Sequence, residues 1–208
     1  MKKLVFLFSV ALSLFSCKEE NSKKYTQVKV NVSNYISGLP IADITCGVYE
    51  QDAVGNSTLL HSATTVSGIF EYNFLAKKNK SYFITCSIDL QKYYSVSFLQ
   101  YISIDKYKLN EFNFKLVEYS YITFDITNIS CFDDQDKFYF LRESETEYNG
   151  YTPATLWGCQ DAQPGTYGKV PEGKWYFEWQ VTKNSSTSIF YDTISLVKND
   201  SIIYLIDY

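Results

Sequence analysis

The feature that most restricts this chain is a two-residue alternation that recurs in short stretches. Residues 27–33 read QVKVNVS, apolar at every second position, and residues 44–50 read ITCGVYE. Successive side chains on a strand point to opposite faces, so this period buries one face and wets the other; a helix would scatter the same apolar residues around its circumference. Gly38-Leu39-Pro40, Gly55-Asn56 and Ser67-Gly68 supply turn chemistry between the stretches. Residues 58–63, 69–74, 81–88, 93–104 and 110–117 complete a first set of seven short strands, the pattern of an all-β sandwich.

The pattern resumes at 119–126 (YSYITFDI), 137–143 (KFYFLRE), 173–182 (GKWYFEWQVT), 188–197 and 202–206. Between them, residues 145–170 form a Gly- and Pro-containing stretch longer than an ordinary hairpin needs, expected to be either functional or partly structured. Composition agrees with strands: the 208 residues include 19 Tyr and 15 Phe but one Met and four Pro, and aromatic and β-branched side chains suit a pleated, half-buried surface. The formal net charge of −4 is spread along the chain, with Arg142 the sole arginine. That weighs against nucleic-acid binding, which rests on neutralising phosphates.

At the N-terminus, Lys2 and Lys3 precede an apolar run over 4–15, the profile of an export signal spanning 1–16. The run falls short of the roughly 20 residues a spanning helix needs. Leu14-Phe15-Ser16-Cys17 resembles the lipobox of bacterial lipoproteins, with Phe15 bulkier than the usual occupant. The resemblance implies cleavage before Cys17, lipidation of its thiol, and a membrane partner reached through the N-terminal lipid. Residues 17–24 form a short polar tether, in which Lys18-Glu19-Glu20 resembles the surface-export signal of Bacteroidota lipoproteins. The expected location is the outer membrane, facing the cell surface; the alternative is a periplasm-facing anchor.

Val28-Lys29-Val30, the Gly38-Leu39-Pro40-Ile41 turn, Thr64-Thr65-Val66-Ser67-Gly68-Ile69-Phe70 and Lys80-Ser81-Tyr82 together resemble the transthyretin-like, carboxypeptidase-regulatory-type domains of exported bacterial proteins. The resemblance covers about 25–118 and implies a structural or binding module. Pro171-Glu172-Gly173-Lys174-Trp175 resembles a turn-into-strand of the same sandwich class. The expected organisation is two tandem Ig-like or transthyretin-like β-sandwich domains, 25–118 and 119–208, with a single larger sandwich as the alternative.

Four cysteines remain after Cys17: Cys46, Cys86, Cys131 and Cys159. An even number in an exported chain suggests disulfides. Pairing Cys46 with Cys86 and Cys131 with Cys159 keeps each bridge within one half; buried free thiols are the competing reading.

Little points to catalysis, and no cofactor, metal or enzymatic activity is expected. His61 is the single histidine and sits in a strand pattern with no nucleophile motif beside it, so neither a multi-histidine metal site nor a Ser-His-Asp arrangement elsewhere can be built without it. Asp133, Asp134 and Asp136 form an acidic turn without the spacing of a calcium loop. Glu143, Glu145 and Glu147 would share one face of a strand, without a visible cleft for paired-carboxylate chemistry. Trp175, Phe177 and Trp179 share a strand face and read as packing. Asp192-Thr193-Ile194 and Asp200-Ser201-Ile202 resemble a short O-glycosylation acceptor of exported Bacteroidota proteins.

The candidate ligand-binding residues are the rings of the long stretch, Tyr148, Tyr151, Trp157 and Tyr167. Flat rings on loops of a rigid scaffold suit sugars or protein partners; folded back, they would instead form a lid over the second core. Two functions follow as expectations: a non-catalytic binding module for a glycan or an envelope protein, or a structural or adhesive component that pairs through a sandwich edge strand.

Overall fold

The structure is a computed structural model that describes residues 25–97, 101–148, 150 and 153–208. The signal peptide, Cys17, the tether and Tyr151 lie outside the described residues. Fourteen strands and no helix appear among them: β1 (Tyr25–Asn34), β2 (Thr45–Gln51), β3 (Ser57–Thr64), β4 (Ile69–Leu75), β5 (Ser81–Ser87), β6 (Tyr93–Ser95), β7 (Ile102–Ser103), β8 (Leu109–Thr127), β9 (Lys137–Ser144), β10 (Ala154–Trp157), β11 (Gly168–Pro171), β12 (Gly173–Lys183), β13 (Ser186–Leu196) and β14 (Ser201–Asp207).

The alternation of β1 does what its sequence promises. Val28, Val30 and Val32 are buried and the residues between them face outward or lie at the rim. β1 pairs antiparallel with β4 and parallel with β8, and β6 pairs with the other edge of β8. Opposite stands the sheet β3-β2-β5-β7, which contributes Cys46, Val48, Tyr82 and Ile84 to the same cluster as the β1 valines. Ser67 and Gly68 both have positive φ, 54° and 73°, the geometry of the tight two-residue turn that matches strand twist. A side chain at Gly68 would run into the Val32 carbonyl and Pro40.

A second cluster gathers Ile122 and Ile126 of β8, Val170 of β11 and Ile206 of β14 against Phe138 and Phe140 of β9 and Trp175, Phe177 and Val181 of β12. These strands form the β11-β8-β14 layer and the sheet β10-β9-β12-β13.

β8 joins the two cores and departs from expectation. Residues 110–117 and 119–126 read as two strands, yet β8 runs unbroken for 19 residues. Even-numbered side chains meet both clusters, Phe114 and Leu116 the first and Ile122 and Ile126 the second, while Val117 and Thr123 are buried on the opposite face. The boundary expected at 118/119 therefore falls inside one strand. Glu172 reinforces that point, accepting hydrogen bonds from the Asn34 side chain (2.6 Å) and the Glu118 N–H (3.1 Å).

One further expectation is corrected, and one is narrowed to its second alternative. Residues 93–104 do not form one strand: β6 joins β8 and β7 joins β5, in different sheets, and Tyr101 between them has a φ of 56° that no strand accommodates. The 145–170 stretch is partly structured, since β10 pairs with β9 and β11 with β8.

Candidate interaction surfaces

The expected site residues that lie among the described residues have definite places. The Tyr148 ring is partly buried and packs edge-on to Tyr94 and Trp175, at centroid distances of 5.2 and 6.1 Å. Trp157 belongs to β10 rather than a loop, is 52% exposed, and lies opposite Lys137, whose ammonium sits 5.0 Å from the indole centroid. Tyr167 is exposed. Tyr148 adjoins Ser144 at the end of β9, whereas Trp157 pairs with its first residue. At about 3.3 Å per residue the eight-residue strand separates them by on the order of 20 Å. The structure does not bring Tyr148 and Trp157 into one site.

The acidic candidates are likewise dispersed. Asp136 is fully buried and accepts from the Phe132 N–H at 2.9 Å, while Asp133 and Asp134 accept from Gln135. No group of three His, Cys, Asp or Glu is placed to hold a metal among the described residues. Glu143 lies near the end of β9, Glu145 accepts from the Lys174 N–H, and Glu147 sits in a turn with φ 54°. His61 stacks on Tyr72 at 4.5 Å, tucked between the sheets at one edge of the first sandwich. Both cysteine pairs form as expected: Cys46 with Cys86, in register across β2 and β5, and Cys131 with Cys159, with Cα separations of 4.1 and 5.2 Å.

Two other surfaces are more conspicuous. On the outward face of β2 and β5, Tyr49 and Phe83 pair in register and stack with centroids 5.0 Å apart and planes 4° apart, and Tyr101 leans on Phe83 at 5.4 Å. Tyr49 also covers Gly47, whose missing side chain leaves room for the ring. These rings and Ser57, Thr85 and Ser87 line a shallow depression of about 440 Å³. The signal was present in the sequence as aromatics on the polar phase of two strands.

The second surface is β13. It is the last strand of its sheet and pairs with β12 through eleven consecutive residues without a register shift. Its other edge has no strand against it among the described residues. Every residue from Ser186 to Thr193 is exposed, including Ile189 (49%), Phe190 (44%) and Tyr191 (71%). Asn184 and Ser185 close the β12–β13 hairpin with φ values of 46° and 62°, and Lys183 pairs with Ser186 across that two-residue turn. Hydrogen-bonded pairs alternate from there. The N–H and C=O of Thr187, Ile189, Tyr191, Thr193 and Ser195 therefore point to the open edge. Exposed edges are usually blunted by lysine, proline, a bulge, shortness or an inward-pointing charge. Of these β13 carries only the last, Asp192, its single charge. Asp192 is engaged elsewhere, accepting from the Tyr204 hydroxyl of β14. Burial, then the hydrogen bond and charge of Asp192, push the Tyr204 phenol well above its ordinary pKa.

No family model matches the chain, and no curated protein matches it. Among solved structures it is similar to the Bacillus anthracis TIE protein (10% identity, TM-score 0.35, over 88% of this chain and 34% of that one). It is also similar to a streptococcal ancillary pilin (10%, 0.38, 89% and 62%) and to the shaft pilin SpaA of Lactobacillus rhamnosus GG (10%, 0.37, 88% and 98%). The chain thus spans about a third and under two thirds of the first two. At TM-scores this low the likeness decides nothing about what the chain binds.

Proposed function

We propose that this protein is a non-catalytic structural or adhesive component of a bacterial cell envelope that assembles by pairing the open edge of β13 with a partner strand. The observation that carries the reading is β13 itself: eleven residues, paired to β12 without a register shift, and exposed from Ser186 to Thr193. Main-chain groups on such an edge supply affinity, and alternate side chains supply selectivity. The Cys17 lipobox and the charged tether support a lipid-anchored protein of the outer membrane, displayed at the surface. The two apolar clusters support two sandwich units, 25–118 of transthyretin-like type and 119–208 diverged, that share β8.

The test is a photo-crosslinking side chain placed at Tyr191 and, as control, at the exposed Tyr107 on the far half of the chain. Irradiated cells should give a discrete higher-mass adduct from position 191 and none from 107. Absence of any adduct at 191 in an abundantly expressed protein would contradict edge pairing.

A second reading, glycan recognition, is favoured by the Tyr49–Phe83–Tyr101 row, where ring faces meet hydroxyls from Ser57, Thr85 and Ser87. Retention on immobilised polysaccharide that is lost in Phe83→Ala would support it; equal retention by both proteins would count against it.

A further inference from the structure

We propose that the strand received by the β13 edge is β13 of a second copy of this chain, paired antiparallel about a two-fold axis at Tyr191. The inference rests on the reading of β13 as a pairing edge and names its partner.

The strand is self-complementary about its middle. β13 runs from Ser186 to Leu196, so Tyr191 is its central residue. A two-fold axis there pairs all eleven residues: Ser186 with Leu196, Thr187 with Ser195, Ser188 with Ile194, Ile189 with Thr193, Phe190 with Asp192, and Tyr191 with itself. Tyr191 also belongs to the set whose N–H and C=O face the open edge. An antiparallel pair exchanges two hydrogen bonds at every second position, so the five edge-facing positions give about ten bonds across the axis.

Hydrogen-bond phase and overlap fix the register. Centring the pair on Asp192, the one charged residue of β13, would present main-chain groups already bonded to β12 and set two like charges face to face, which is destabilising; centres at Ile189 or Thr193 keep the phase but overlap only seven residues of each strand. Centring it on Tyr191 sets each Asp192 against the Phe190 of the other copy. The outer face then carries Tyr191 against Tyr191, flanked by Ile189 against Thr193, and aromatic and β-branched cross-strand pairs favour sheet formation. The product is an isologous dimer, with the sheet β10-β9-β12-β13 continued into the same four strands of its copy.

The test uses the purified full chain. Sedimentation over a dilution series should show a reversible dimer, and Ile189→Lys should weaken it by at least about tenfold, because an edge lysine disfavours pairing. That substitution lies on an exposed face, and circular dichroism checks that the fold is kept. In Tyr191→Cys, two thiols brought together at a hydrogen-bonded pair stand about 5.5 Å apart at Cα, within disulfide range; mild oxidation should link the dimer, whereas Tyr107→Cys should not. A monomer at every concentration, a dimer insensitive to Ile189→Lys, or linkage equally fast from position 107 would overturn the proposal. If the purified chain is monomeric while the cellular adduct from position 191 contains a different protein, self-pairing fails and the edge reading stands. If no adduct forms either, both fail.

Discussion

Trp179 of β12 and Phe190 of β13 stack at a centroid distance of 5.6 Å with 15° between their planes, closing the second core on the side where its last strand is open. Phe190 is 44% exposed, so the stack is half in water. Phe190→Ala is expected to lower stability by about 0.5–1.5 kcal/mol, the usual worth of an aromatic pair. Urea unfolding measures the loss, and the tryptophan emission should shift to the red as Trp179 gains water.

The sides of the first sandwich respond to acid. Lys77 Nζ donates to the Glu50 carboxylate at 3.0 Å, and the Tyr82 hydroxyl donates to the same carboxylate at 3.1 Å. The Lys77 hydrogen bond is the largest influence and holds the Glu50 carboxyl below its ordinary range, against the opposing effect of burial. A depressed folded-state pKa means that the unfolded chain takes up the proton first as pH falls. Its stabilisation is complete above the ordinary carboxylate pKa of about 4.3 and is lost as pH drops through the folded value. Thermal unfolding of the native protein should therefore fall more steeply below about pH 4.5 than that of Glu50→Gln.

Alkali acts through Tyr204, whose phenol is held protonated by burial and by Asp192. Here the unfolded chain ionises first, so the contribution is intact below about pH 10 and declines above it. Tyr204→Phe should flatten that alkaline limb in a thermal-unfolding series.

The two disulfides should differ in access. Cys46 and Cys86 are buried, whereas Cys131 and Cys159 are exposed. Mild reductant followed by alkylation and mass spectrometry should label Cys131 and Cys159 first, and Cys46 and Cys86 only on unfolding. Closing a loop of 40 residues stabilises by about 4 kcal/mol in the chain-entropy account. A Cys46→Ala, Cys86→Ala double variant should lose stability of that order in urea.

Glu172 ties the two cores together where β8 passes between them. Glu172→Ala removes the acceptor for Asn34 and the Glu118 N–H, at an expected cost of about 1–3 kcal/mol. Calorimetry should show the single unfolding transition broaden or split as the two clusters uncouple.

Period-two alternation made much of this fold legible. It placed β1 to β5, β9, β12 and β14 within a residue or two, and the division of the cysteines foretold which pairs meet. The failures have physical causes. β8 looked like two strands because a boundary was expected at Glu118, although Phe114, Leu116, Ile122 and Ile126 keep one parity on both sides of it. The 93–104 stretch hid its break because Tyr101, not glycine, adopts the left-handed conformation. β10 and β11, with four residues each, are too short to show a period. Tyr49 and Phe83 passed as ordinary strand aromatics, since only the register across β2 and β5 reveals that they stack. The bareness of β13 was readable as a run with neither lysine nor proline, but its place at the edge is a property of the whole sheet.

The most direct measurement is hydrogen exchange along β13 in the protein extracted in its native assembled state, beside the Ile189→Lys variant prepared identically. Edge pairing predicts that the amides of Thr187, Ile189, Tyr191 and Thr193 exchange slowly in the first and rapidly in the second, with β12 unchanged. Equally rapid exchange of those four amides in both preparations would contradict it.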